Sequence, residues 1–340
     1  MAKTAKQMRA LKPVEPRNID LQPMLNEPGI NTLLLMNPRR ANIIDVSHET
    51  GTQTAFLTAS NTQGYIELSD FDNQLQFNNA ISDVLCVLLM KGTREGFKKG
   101  FVHLSVDYFK QETSTADRKD AKKRLRNGAD FLRKANVPVI DPKKKKKNIV
   151  ESYINISSGV DYYDNGDLDF YFNDDYLKKL VNSFNMYYTT SVLKADARSY
   201  PYARTLGFYI SLMKRINAGK PREDLIKLST LREAGGLPSY EQIKKNGRHY
   251  ERDIIKPFEN NMDAIDEILW DYCTSKGKVL KKTLTDNIKP EIFFREDLYI
   301  KITWIGYPDT QPLLQAKEKQ RKKAEKIKRK KAREQEEKRG

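Results

Sequence analysis

Residues that ligate metals or form cross-links are scarce in this chain of 340 residues, which contains 2 cysteines and 3 histidines. Cys86 and Cys273 form no metal-binding or redox spacing, and two cysteines are too few for a disulfide framework. His48, His103 and His249 include no pair separated by one residue, which excludes the metal site of a rolling-circle nickase. We therefore expect no metal, no cofactor and a reducing, cytoplasmic environment.

Long apolar runs and phosphate-binding glycine loops are also missing. Ile30–Met36 and Val84–Met90 are much shorter than the roughly 20 apolar residues that span a bilayer, and the basic N-terminus has no apolar core of the signal-peptide kind. No G-x-x-x-x-G-K sequence occurs, which argues against a built-in ATPase or helicase motor. The sequence therefore predicts no membrane role.

Positive charge, by contrast, is abundant at a net +16, and it is concentrated in two segments. Residues 116–147 contain 13 Lys/Arg against 4 Asp, and residues 313–340 contain 13 Lys/Arg against 5 Glu. These segments account for the whole net charge, so the remainder of the chain is close to neutral. Because neutralised phosphates release condensed counterions, concentrated cations of this kind indicate a nucleic-acid partner.

The first half of the chain predicts the order helix, short helix, basic helix and β-hairpin. The first helix is expected to end at Gly92. A longer helix is predicted over 116–135, capped by Ser114-Thr115, with apolar and cationic residues on opposite faces. Alternating segments at Val150–Val160 and Leu168–Phe172 predict two strands joined as a hairpin through Asn165-Gly166, since Asn-Gly favours a tight turn.

The second half repeats this order. Helices are predicted over Tyr202–Ile216 and Leu228–Ala234, followed by a long helix over 239–256 that Pro257 stops or kinks. Two strand-like segments then predict a second hairpin. Capping boxes are predicted at Thr230/Glu233 and Ser239/Gln242, and short letter matches recur at 104–105 and 228–229 and at 122–128 and 244–247.

These patterns predict an α+β, mainly helical fold with two tandem winged helix-turn-helix domains and β-hairpin wings. The expected divisions are a flexible N-terminal arm with short β pieces (1–60), a first winged-helix domain (61–195), a second (196–308) and a basic, disordered or helix-prone tail (309–340).

Two sets of polar and cationic residues are predicted to contact DNA. The set expected to read base edges lies on the long helix of the second domain: Gln242, Lys245, Asn246, Arg248, His249 and Arg252. The set expected to hold the DNA backbone lies on both basic helices and on a lysine run taken as the entry to the first wing: Lys119, Lys122, Lys123, Arg126, Arg133, Lys143, Lys144, Lys145, Lys146, Lys147, Lys244 and Lys256. Lysine lacks a directional fork, so the lysine run is expected to add affinity and not sequence choice. The alternative is an ordinary solvated helix face.

Two catalytic interpretations stay open beside the expectation that the protein is not an enzyme. Asp167 and Asp169 would share one face of a strand, as in a polymerase-like metal pair, although their acidic cluster fails the calcium-loop spacing. His249, Arg252 and Tyr272 are of the types that tyrosine recombinases use, but the box around Arg204 lacks the arginine that should follow its glycine.

The stretch that opens at Tyr202-Ala203-Arg204 and continues as LSTLREAGGLPSYEQIKKNGRHYERDIIKPFENN resembles iteron-binding plasmid replication initiators of the Rep family. The hairpin at Asn165-Gly166, followed by Tyr171-Phe172 and a helix over Asp174–Val181, is similar to the end of that family's first winged helix. The resembling span is about 73–305, and the chain departs from the family in the loop at 275–297 and in its basic tail.

The resemblance implies that the partner is double-stranded DNA at directly repeated origin sites of a bacterial plasmid, phage or mobile element. The second domain would read bases, while the first would hold backbone and form a homodimer interface in an autorepressing form. Bending and unwinding of A·T-rich DNA would precede recruitment of host helicase and host initiator. A winged-helix transcriptional repressor, and RNA binding led by residues 313–340, are the alternatives.

Overall fold

A computed structural model describes residues 22–26, 33–35, 41–49, 52–59, 66–68, 78–97, 100–138, 153–181, 184–245, 249–280, 293–295 and 297–307. Over these residues the chain is α+β, as predicted, with helices and small antiparallel sheets. None of the described helices has both the length and the apolar character needed to cross a bilayer.

The strands are β1 (Gln22–Asn26), β2 (Ala41–Glu49), β3 (Thr52–Ala59), β4 (Ile66–Leu68), β5 (Phe101–Leu104), β6 (Ala135–Pro138), β7 (Tyr153–Asn155), β8 (Ser157–Tyr162), β9 (Leu168–Phe172), β10 (Phe184–Tyr188), β11 (Leu225–Lys227), β12 (Ile268–Thr274) and β13 (Leu298–Trp304). The helices are α1 (Asn79–Glu95), α2 (Val106–Thr113), α3 (Arg118–Lys134), α4 (Asp174–Val181), α5 (Ser191–Lys194), α6 (Ala203–Asn217), α7 (Leu228–Gly235), α8 (Tyr240–Lys245) and α9 (Lys256–Asp263), the last preceded by a π-helical turn at Glu251–Ile255.

Two units of the chain share one topology. The first unit (79–172) contains α1, β5, α2, α3, β8 and β9 in that order, with β6 and β7 inserted between α3 and β8, and its sheet has the strand order β5-β9-β8. The second unit (203–304) contains α6, β11, α7, α8, β12 and β13 in that order, with the π-helical turn and α9 inserted between α8 and β12, and its sheet has the equivalent order β11-β13-β12. In each unit the strand that follows the first helix therefore pairs with the last strand of the hairpin.

The spacing of the helix-turn-helix segments is also equal. Helices α2 and α7 are both eight residues long, and they begin 122 residues apart, at Val106 and Leu228. Helices α3 and α8 begin 122 residues apart as well, and each follows a four-residue connection that starts in the left-handed conformation, at Ser114 or Gly236. This geometry supports internal duplication much better than the letter matches do. The Lys-Lys pairs at 122 and 244 occupy equivalent positions, whereas the Leu-Ser pairs do not.

Helix α1 lies at the centre of the first unit. Every residue from Ala80 to Met90 is buried, as expected for a helix that contacts several elements. One of these elements is α3, which approaches closely at Gly128: a Cβ atom there would lie 2.6 Å from the carbonyl oxygen of Ala80. Glycine at this position allows the two backbones to touch.

The N-terminal segment (1–60), expected to be an arm with short β pieces, contains three strands that join sheets. β1 pairs with β10, far along the chain, and β2 and β3 form a hairpin in a five-stranded sheet of order β2-β3-β4-β6-β7. Pairing with a strand that is distant in sequence leaves no local signal, so composition alone suggested an arm. Residues 1–21 and the tail (309–340) lie outside the described residues.

Several helix ends differ from the prediction because a neighbouring residue provides the cap. α1 continues past Gly92 and ends at Gly96, which is in the left-handed conformation. α3 begins after Asp117, whose side chain accepts a hydrogen bond from the Asp120 N–H, so Ser114-Thr115 is not its cap. α7 begins at Leu228 without a side-chain cap, so the Thr230 box is wrong.

The single long helix predicted over 239–256 is wrong. Ten residues of continuous helix would separate Tyr240 and Tyr250 by ~15 Å along the axis, yet their rings stack with centroids 4.9 Å apart. α8 ends at Lys245, and helix resumes at Tyr250. The helix then continues through Pro257 after the π-helical turn, which accommodates a residue without an N–H, so Pro257 does not stop the helix.

Candidate nucleic-acid interface

Helix α3 presents a continuous cationic face. Its apolar residues Ala121, Leu125, Gly128 and Leu132 are buried, as predicted. The five cations predicted to hold DNA backbone on this helix are all exposed and recur every three or four residues, which places them on one side: Lys119, Lys122, Lys123, Arg126 and Arg133. Asn127, which the sequence analysis did not single out, is exposed beside them and has the amide group that suits adenine.

The β8–β9 hairpin lies against this helix. Lys122 Nζ donates to the carbonyl oxygen of Asp164 at 2.9 Å, and its side chain crosses Gly166 so closely that a Cβ there would clash. The Arg126 guanidinium lies over the Tyr162 ring, 4.9 Å from its centroid. Burial raises the pKa of the Tyr162 hydroxyl, which donates to Asp130. The hairpin thus holds the side chains of Lys122 and Arg126 in place. Lys119, Lys123 and Arg133 are exposed on the same helix.

This hairpin is acidic and not basic. Residues 157–172 contain four aspartates and no lysine or arginine, so the tip would repel a phosphate backbone. The lysine run from Lys143 to Lys147 lies outside the described residues. Its flanking strands, β6 and β7, pair with each other in the five-stranded sheet, so the run is not the entry to the β8–β9 hairpin. The single strand predicted over 150–160 is in fact divided at Ile156 between two sheets.

In the second unit the predicted contact residues fall into four groups. Lys244, Lys245 and His249 are exposed, and His249 lies outside the helices. Gln242 is exposed, but its side-chain oxygen accepts a hydrogen bond from the N–H of Ser239, and its own N–H donates to Ser239 Oγ, which confirms the predicted capping box. The side-chain amide that was predicted to contact a DNA base is therefore already hydrogen-bonded within the protein.

Arg252 and Lys256 both have acidic neighbours. Arg252 Nε donates to Asp253 Oδ1 at 2.8 Å, and Lys256 Nζ lies 3.2 Å from Glu251 Oε1. Both cations are exposed, so these are surface ion pairs of small energy that DNA phosphates would compete for. Asn246 and Arg248 lie outside the described residues.

A buried ion cluster was missed entirely. Asp83 of α1 is fully buried and binds Arg204 of α6, with Nε at 2.8 Å, and also Arg124 of α3. Arg204 thus forms an ion pair with Asp83, a role that its resemblance to a recombinase box does not predict. Asp83 and Arg204 are 121 residues apart, so no local pattern reveals the contact.

The residues of the two catalytic interpretations are engaged in hydrogen bonds. Asp169 binds His103 Nδ1 at 2.7 Å and accepts from Tyr163, and Asp167 accepts from the Val106 N–H. Tyr272 is buried and donates to Glu259 at 3.2 Å. Among the described residues, no three His, Cys, Asp or Glu side chains come together as a metal site.

Glu259 makes the stability of the second unit dependent on pH. Burial, with smaller contributions from Asp263 and Glu251, raises the pKa of the Glu259 carboxyl to about 7, above its ordinary value of 4.5. The folded state therefore holds a proton that the unfolded state releases, so stability falls as pH rises from 4.5 to about 7.

Glu259→Gln is expected to raise the melting temperature at pH 8 and to leave it nearly unchanged at pH 4, because the amide is always neutral. Thermal unfolding followed by circular dichroism at both pH values measures this difference. Glu241→Gln, at an exposed carboxylate in the same unit that does not contribute to the pKa of Glu259, is the matched control. An equal gain at both pH values would contradict the assignment.

No family model matches this chain, and no curated protein matches it. Three solved structures are similar to it. A structure of domains 2 and 3 of RctB is 11% identical, with 81% of this chain and 97% of that chain covered and a TM-score of 0.43. The Pi initiator protein in complex with iteron DNA is 13% identical, with 69% and 93% covered and a TM-score of 0.41. A second structure of RctB domains 2–3 is 9% identical, with 82% and 96% covered and a TM-score of 0.38.

A Pi initiator is thus among the structures that this chain resembles, which agrees with the sequence-based resemblance to iteron-binding initiators.

Proposed function

We propose that this chain is a double-stranded DNA-binding protein that recognises repeated sites in a replication origin and initiates replication there. One observation carries the proposal: two units of equal topology each place a short helix, a four-residue turn and a second helix before a β-hairpin. This is the order of a winged helix-turn-helix, in which the second helix enters the major groove. Two such units in one chain could contact two segments of one DNA duplex.

Helix α3 is the stronger of the two contact surfaces. It is an uninterrupted helix of 17 residues. Lys119, Lys123 and Arg133 project from one exposed side of it, where they can contact phosphates. Lys123 and Lys245 occupy equivalent positions in the two units, so we propose that each contacts DNA in the same way. Asn127 would add base readout, and His249 would do so in the second unit.

We further propose that the protein has no catalytic step of its own. Origin opening would draw on binding energy spent in bending A·T-rich DNA, and a homodimer would repress its own synthesis. Host helicase and host initiator would act on the opened origin.

Footprinting on the DNA that flanks the protein's own coding region tests the proposal. We expect several regularly spaced protected repeats. A single protected operator would instead indicate a transcriptional repressor, and preference for RNA that is lost on deleting residues 313–340 would indicate an RNA-binding protein.

The contact surface is tested by Lys119→Ala/Lys123→Ala/Arg133→Ala. Each phosphate contact contributes ~0.9 to the slope of log affinity against log salt, so the triple variant is expected to lower the slope by about 2–3. Lys178→Ala/Lys194→Ala/Lys220→Ala, which removes three exposed lysines outside both helix-turn-helix segments, is the control. Equal slopes for the two triple variants would overturn the role of α3.

A further inference from the structure

Asp83 joins three helices through one carboxylate. Its side chain is fully buried, and Arg204 grips it with two nitrogens, Nε at 2.8 Å and Nη2 at 3.3 Å. Arg124 Nη2 donates to the same carboxylate, and its other nitrogen, Nη1, donates to Thr115 Oγ1 at 3.1 Å. The cluster thus places two positive charges around one negative charge, with Asp83 and Arg204 buried and Arg124 partly exposed.

The three helices belong to different parts of the proposed DNA-binding apparatus. Asp83 is on α1, Arg124 is on α3 among the exposed cations, and Arg204 is on α6, the first helix of the second unit. Arg204 Nη2 also donates to the carbonyl oxygen of Leu193 at 3.4 Å, in the segment that connects the two units. The cluster therefore lies where the units meet.

Such a cluster is better suited to setting geometry than to adding stability. Removing charges from water costs about as much as their attraction returns, so an apolar contact would serve equally well for stability alone. An apolar contact can slide, whereas a guanidinium fork on a carboxylate has one arrangement that satisfies its hydrogen bonds. Without such a constraint, relative motion between units is the ordinary expectation.

We propose that Asp83 is a positioning residue: it holds α3 in fixed register with α6 and thereby fixes the separation of the two DNA-facing surfaces. Its consequence for DNA rests on the function proposed above. A chain with a fixed separation accepts one spacing between the two DNA segments that it contacts, whereas a chain with a variable separation accepts several.

The positioning role is measured without DNA. Spin labels at Lys123→Cys and Ile216→Cys, both exposed, report the distance between α3 and α6 in the full chain by pulsed electron resonance. The native thiols compete little, because burial raises the pKa of Cys86 and raises that of Cys273 to about 11. The otherwise unchanged chain is expected to give one narrow distance distribution.

Asp83→Asn and, separately, Arg204→Lys are expected to make that distribution about twofold broader. Arg204→Lys keeps the charge and loses the fork, so it remains informative if Asp83→Asn does not fold. Asp120→Asn, at an exposed carboxylate 4.0 Å from Arg124, is expected to leave the distribution unchanged. A narrow, unshifted distribution in a folded Arg204→Lys chain would overturn the proposal.

The consequence for DNA is measured on sites whose two protected segments are separated by one or two inserted base pairs. The unchanged protein is expected to prefer the natural spacing about tenfold, and Arg204→Lys about twofold. Absence of any specific protection by the unchanged protein would refute the proposed function and leave the distance result standing. Retention of the tenfold preference by Arg204→Lys would refute the positioning role alone.

Discussion

Asp83→Ala is expected to lower the free energy of unfolding by about 3–5 kcal/mol, the range for breaking a buried ion pair by removing one partner. The loss is large because Arg204, with a side chain only 8% exposed, cannot reach water and would remain as an uncompensated cation. Arg124 is 25% exposed and can turn toward solvent, so it contributes less. Urea unfolding monitored by fluorescence and circular dichroism measures the change.

Two controls separate the ion cluster from general sensitivity of this region. Asp120→Ala removes an exposed carboxylate near the same Arg124, and surface pairs of this kind contribute ~0–1 kcal/mol. Asp83→Leu/Arg204→Leu removes both buried charges and is expected to recover most of the loss, since apolar replacement of a buried pair is often neutral. A double variant as unstable as Asp83→Ala would show that the loss arises from altered packing and not from the unpaired charge.

Gly128→Val is expected to destabilise the first unit by ~3 kcal/mol, because overpacking a close helix contact forces backbone to move. A Cβ atom at this position would lie 2.6 Å from the Ala80 carbonyl oxygen and 2.6 Å from Val84 Cγ2. The valine side chain can rotate, but the carbonyl oxygen is fixed within α1. Gly128→Ala is expected to cost less, because alanine regains ~1 kcal/mol of helix propensity.

The adjacent residue provides the control for Gly128. Asn127 is exposed to solvent, so Asn127→Ala creates no clash and is expected to raise stability by a few tenths of a kcal/mol through helix propensity. The comparison is made by thermal unfolding of the three variants at one pH. Unchanged stability of Gly128→Val would mean that α1 and α3 do not touch there.

Elements with a strong local pattern were predicted closely. The alternating segment at 268–274 is strand β12, and the hairpin turn contains Gly166 in the left-handed region that its Asn-Gly sequence favours. The two faces of α3 were assigned correctly, because burial of one helical stripe and solvation of the other leave a period of 3.6 residues in the sequence.

The candidate contact residues were predicted less well where a tertiary contact competes with local propensity. The sequence from 239 to 256 favours helix, but stacking of Tyr240 on Tyr250, with Phe294 against both rings, requires the chain to turn. Phe294 is distant in sequence, so its effect on the turn is invisible to local periodicity. The neighbours that engage Gln242 and Arg252 depend on side-chain geometry in the same way.

The sequence by itself determined the class of fold, the duplicated helix and hairpin order and the cationic face of α3, because these follow from residue periodicity and charge within short windows. Only the tertiary structure decided which strands pair across the chain, that the β8–β9 hairpin is the acidic one beside α3, and that Asp83 binds two arginines. Such contacts join residues from about forty to more than a hundred positions apart or depend on side-chain placement. These contacts therefore stabilise the protein only after the chain between them has closed into a loop, so they leave no signal in a short stretch of sequence.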